Sequence, residues 1–193
     1  MSKILLITMI VLYASVSFGQ GELFEFSETI QEDSNRKIAN ITGSYVVLKI
    51  NGSENELYKL TRDWVNETFN DPETVIISDT DSNYLKIKGS SDNVFFSNAV
   101  LRTYYKNIYR LSFKFKENKI KMEINTLDVF EYIPKTYVTG DWKTKNIIVI
   151  SKKNGKPIKF NVQEVERVKN YFNALAISLK NYNNKESNNK DDW

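Results

Sequence analysis

Histidine and cysteine are both absent from this 193-residue sequence, which narrows the chemistry open to the remaining side chains. Without a side chain that titrates near neutral pH, Ser-His-Asp and Cys-His arrangements have no general base. Without imidazole or thiolate, ordinary zinc coordination is excluded as well. Carboxylate chemistry, lysine chemistry and hard-ion binding are left, and the sequence implies no cofactor.

Asp128, Glu131 and Asp141 are the acids that could form the carboxylate pair of a glycosidase, although nothing in their spacing forces them together. Asp79, Asp81 and Asn83 follow the spacing of the first three ligands of an EF-hand loop. The motif then fails, because Tyr84 stands at the glycine position and Ser90 at that of the bidentate glutamate. A polar hairpin turn is the expectation there. No glycine-rich phosphate loop is present, and Asn154-Gly155-Lys156-Pro157 is a turn rather than a Walker motif.

Two groups of residues point to binding instead. Lys114 and Lys116 alternate onto the same side as Lys121 and Glu123, a small basic patch suited to an acidic ligand. The bland alternative is a solvated strand face, on which lysine also discourages edge pairing. The aromatic set Tyr104, Tyr105, Tyr109, Tyr132, Tyr137 and Trp142 is the candidate ligand-binding surface, since such rings stack on sugars and are enriched at interfaces. Ordinary sheet and core packing accounts for the same residues. Trp142 and Trp193 are the large rings whose exposure would need explaining.

These groups must be held by elements that the periodicity outlines. Lys3, the apolar run Ile4 to Val16 and the small-x-small site Ser17-Phe18-Gly19 have the layout of a secretory signal peptide over 1–19, cleaved near Gly19-Gln20. The run is short for a membrane span of about 20 residues, so no transmembrane segment is expected in the mature chain. An uncleaved anchor is the alternative. The whole chain carries +3, and removal of Lys3 leaves +2, too little to suggest a nucleic-acid partner. With no cysteine to bridge or to lipidate, a soluble periplasmic or secreted domain is expected to rest on its hydrophobic core alone.

Residues 20–39 read as a linker or arm, with Leu23 to Phe26 a possible edge strand. A first strand spans Ile41 to Ile50. Ser53 and Glu56 form a capping box for a helix whose apolar arc is Leu57, Leu60, Trp64, Val65 and Phe69, stopped at Asp71-Pro72. Strands follow at Thr74 to Ser78 and Tyr84 to Lys88. Leu111, Phe113 and Phe115 alternate with polar residues, as do Ile120, Met122 and Ile124 beyond the turn at Glu117-Asn118. The pair reads as an antiparallel hairpin with one buried face. Its phase slips near Thr126, where Leu127 and Val129 become the apolar positions, and a bulge is expected there. Ile147 to Ile150 is a short strand. Val165, Val168, Phe172, Leu175, Leu179 and Tyr182 mark a helix over 162–182, and 183–193 reads as a disordered tail.

The order strand, helix, four strands, helix predicts an α+β domain over 40–182, with both helices on one face of an antiparallel sheet. With an export signal in front, this order resembles an uncharacterised bacterial exported family, domain of unknown function 4468, with a TBP-like (TATA-binding-protein-like) fold. The residues that carry the resemblance are YKLTRDWVNETF (58–69), Val75-Ile76-Ile77, Leu85 to Gly89, and the hairpin Tyr109–Phe115 and Lys119–Tyr132 with its closing Phe130 and Tyr132. The likeness covers about 45–132, while 134–160 departs from it as a variable insert. It implies the fold and an exported location, and no activity. A DNA-binding role by fold analogy is not expected, because the saddle is expected to lack a basic stripe. In such a bacterial setting the sequons at Asn40, Asn51 and Asn66 are chance matches.

The function expected is therefore a non-catalytic binding or structural module of the envelope or periplasm, with a protein or glycan as partner. A carboxylate-dependent extracytoplasmic hydrolase is the alternative. A third possibility is a component of a larger assembly, docked through Pro134 to Phe160.

Overall fold

The computed structural model describes residues 23–32, 34–80, 83–91, 104–134, 140–144 and 148–189. The expected leader and its cleavage site, Asp81, Tyr137 and Trp193 lie outside the described residues.

Where an arm was expected, the chain forms a hairpin, β1 (Ser27–Gln31) and β2 (Arg36–Asn40). The reason lies far away in sequence: β2 pairs with β9 (Ile148–Val149) through Ile38↔Val149 and Ala39↔Ile148. Leu23 to Phe26 is not a strand. Phe24 is instead fully buried against Phe172, and its N–H donates to Asn173 Oδ1 at 2.6 Å.

The larger sheet has six strands and is antiparallel throughout. Its spine runs β3 (Tyr45–Lys49), β7 (Lys119–Pro134), β6 (Tyr104–Lys116), β5 (Tyr84–Ser91), β4 (Ile76–Thr80). β8 (Gly140–Thr144) pairs with the far end of β7. The strand expected over 41–50 is thus shorter, because the turn at Gly43 (φ +83°) separates β2 from β3. The strand expected from Thr74 begins later too, since Pro72–Val75 makes one helical turn, α2. The predicted bulge is present: Arg110 pairs with Thr126 but Leu111 with Ile124, which leaves Asn125 without an opposite residue.

One face of this sheet is apolar and covered. Helix α1 (Glu54–Thr68) starts at the expected capping box, with Ser53 N–H donating to Glu56 Oε2 at 2.9 Å and Glu56 N–H to Ser53 Oγ at 3.4 Å. Its Trp64 stands edge-on to Phe113 of β6 and donates its indole N–H to Ser178 of the last helix, α3 (Lys159–Asn189). From α3, Phe172 packs edge-on to Tyr109 of β6. Both long helices therefore lie on the same face, over Leu85, Ile87, Leu111, Phe113, Ile120, Met122 and Ile124, all fully buried. α3 continues through Asn189, into the stretch expected to be a disordered tail. At Asn183, one residue past Tyr182, the side chain is still buried, 2% exposed, with its amide donating to Leu179 O.

Candidate functional site

The opposite face of the six-stranded sheet is built from the other half of each alternating strand. Because the strands are in register, the lysines that periodicity placed along single strands line up across strands as well. One row reads Lys116, Lys119, Lys49 across β6, β7 and β3. The next reads Tyr84, Lys114, Lys121, Val47 from β5 to β3. Lys86, Ser112, Glu123 and Tyr45 follow, then Lys88, Arg110 and Thr126. Beyond the bulge come Ser90, Ile108 and Asp128, and after them Lys106, Phe130 and Thr144.

The acids on these rows are Glu123 and Asp128, and each is already engaged. Glu123 accepts from Lys121 Nζ at 2.7 Å, and Asp128 lies 3.6 Å from the Arg110 guanidinium, which also donates to Thr126 Oγ1 at 3.1 Å. Lys121 stands over the Tyr45 ring as well, 4.1 Å from its centroid. Lys49, Lys86, Lys88, Lys106, Lys114, Lys116 and Lys119 make no ion pair with any described residue. The expectation that this saddle lacks a basic stripe is thereby corrected: the stripe crosses β5, β6, β7 and β3. Sequence showed the hairpin's own lysines but not the pairing partners that widen the patch.

The predicted aromatic set divides. Tyr104, Tyr132 and Trp142 are directly opposite one another on β6, β7 and β8, so they form one more row at the end of the same face by register. Tyr105, opposite Glu131, alternates to the other face. Tyr109 is not a surface residue, and this corrects its assignment to the ligand-binding set. It is 1% exposed, its ring covers Gly89 directly opposite on β5, and its hydroxyl is 2.9 Å from that of Tyr171. Burial, with the Tyr171 hydroxyl adding to it, holds the Tyr109 phenol far above the ordinary tyrosine range. Tyr137 lies outside the described residues.

The predicted acids are not assembled into one site. Asp128 and Glu131 are three positions apart on β7 and so belong to opposite faces of the strand. Asp141 is opposite Ile133, on the face of Glu131, and so on the side away from Asp128. Asp79, the first of the calcium-like residues, accepts from the Tyr58 hydroxyl at 2.6 Å and lies 3.7 Å from Arg62. Among the described residues no cluster of three or more acids is placed to hold a metal ion. No described helix is long and apolar enough to cross a membrane.

A pocket of about 610 Å³ opens at the end of the sheet between α1, α2 and α3, lined in part by Phe69, Thr74, Tyr109 and Tyr171. Asp71 is the one carboxylate among its lining residues.

Residues 45–130 match the family described as a domain of unknown function (DUF4468) with TBP-like fold. A crystal structure of a DUF4468 family protein from Bacteroides ovatus ATCC 8483 is similar to this chain at 15% identity, covering 71% of this chain and 86% of that one, with a TM-score of 0.49. No curated protein matches the chain.

Proposed function

Starting from residues 45–130 as a DUF4468 segment of TBP-like fold, we propose that this protein is a non-catalytic binding module of the bacterial envelope or periplasm. It leaves the cytoplasm by its 1–19 leader and holds its partner on the face of the six-stranded sheet that no described helix covers. The observation that carries this is the set of like charges placed directly opposite one another: Lys116 and Lys119, Lys119 and Lys49, Lys114 and Lys121, Lys88 and Arg110. Opposed like charges destabilise a sheet. Protection of an edge does not account for the Lys116–Lys119 and Lys114–Lys121 pairs, because β6 and β7 are interior strands. An anionic partner relieves the repulsion, so the local cost makes sense on a surface that is covered in use.

A hydrolase needs two convergent acids with a substrate between them. Asp128 faces away from Glu131 and is held by Arg110, so this pair does not supply them.

Expression with the native leader, followed by fractionation, tests the proposal. A mature chain starting at Gln20 is expected in the envelope fraction, released when salt is raised to roughly 0.5 M. Recovery from the cytoplasm with Met1 intact, or envelope retention that ignores salt, overturns it.

A further inference from the structure

Resting on that binding face, we infer that the partner is an acidic polysaccharide, a chain of sugar rings bearing carboxylates, laid across the lysine rows. The face offers two kinds of group. The first is a field of lysines that, Lys121 apart, have no acid partner among the described residues, each a point charge on a flexible stem that can follow charges at variable spacing. The second is a set of rings within and beyond that field. Tyr84 stands directly opposite Lys114, Tyr45 is 39% exposed beneath Lys121, and Tyr132 follows on β7 at the far end. Planar rings present the flat apolar surface on which a sugar face stacks.

What the rows do not offer separates this ligand from two other polyanions. Arg110, the one guanidinium on the described rows, spends Nη1 on Thr126 Oγ1 and lies 3.6 Å from Asp128, so the rows meet an anion mainly with lysine point charges rather than with the paired guanidinium forks that favour phosphate. Among the described residues, Tyr45 is the one exposed large apolar side chain on these paired rows, and none of them is an exposed aliphatic wedge of the kind that inserts into a bilayer.

The processed full chain is assayed against four probes: polygalacturonate, neutral dextran, single-stranded oligothymidylate and phosphatidylglycerol-containing vesicles. Polygalacturonate is expected to bind most tightly. The triple variant Lys88→Glu, Lys114→Glu, Lys116→Glu is expected to weaken it by about tenfold or more. The pair Tyr45→Ala, Tyr84→Ala is expected to weaken it by about fivefold with an unchanged salt slope. Thermal melting checks that both variants are folded. Binding of dextran as tight as that of polygalacturonate, tighter binding of the oligonucleotide or vesicles, or indifference to the tyrosine changes overturns the polysaccharide. In those cases loss of envelope binding in the lysine variant leaves the face standing as a binding surface. Envelope binding that survives the lysine changes overturns the face itself.

Discussion

Phe113 and Lys114 are neighbours on β6, yet they belong to regions with opposite demands. On the covered face, Phe113 is buried under Trp64 and every contact is fixed by packing. On the face that no described helix covers, Lys114 is exposed opposite another lysine, and packing decides little there. A strand delivers both because its side chains alternate with a period of two. The division teaches where to look for each property. Stability is concentrated under α1 and α3, which frees the far side to carry a charge pattern that the fold does not need and slightly resists.

Breaking the covered face should have the largest effect. Phe113→Ala removes a ring from beneath Trp64 and is expected to cost about 3–5 kcal/mol of stability by denaturant unfolding. The polygalacturonate affinity of the remaining folded fraction should stay as it was, and a selective loss of that affinity would show that the faces are not independent. A smaller cost is expected from Gly89→Ala. The added Cβ would fall within the Tyr109 ring, which sits directly over this glycine, and relief requires moving a buried side chain. About 1–3 kcal/mol is expected, and a variant as stable as wild type would mean that the ring shifts freely.

The smallest effect sharpens the comparison through pH. Burial raises the Tyr109 phenol, and the hydrogen bond to Asp79 raises that of Tyr58. A raised folded-state pKa means that the native protein keeps a proton that the unfolded chain releases. The associated stability is complete below about pH 10, the ordinary tyrosine value, and declines as pH rises above it. Urea midpoints measured across this range should fall only on the alkaline side. Tyr109→Phe should flatten that fall while costing about 1 kcal/mol at neutral pH for the lost bond to Tyr171. An unchanged alkaline slope in the variant would assign the decline elsewhere.

Features set by neighbours in sequence were legible beforehand. The capping box at Ser53, the β6–β7 alternation and the slip near Thr126 each depend on residues within a few positions, and all three are present. Features set by distant partners were not. The stretch around β1 and β2 carries no strong strand pattern of its own, and its ladder is completed by Ile148 and Val149 more than a hundred residues later. The basic stripe escaped notice for the same reason: single strands showed lysines at period two, but only the register of β5, β6, β7 and β3 sets them side by side. Tyr109 was misplaced although the period of Leu111, Phe113 and Phe115, continued two residues back, sets it on their buried side. Gly89 is a second signal, since a glycine inside a strand often marks the close approach of another group.

The seating of Phe24 has a consequence for the order in which the molecule assembles. Its ring rests on Phe172 and its amide on Asn173, so the first described residues have no berth until nearly the last helix exists. Until α3 has been synthesised Phe24 has neither of these partners, and closing so long a loop is slow. Phe24 thus finds its partners only once a segment 149 residues further on has been made.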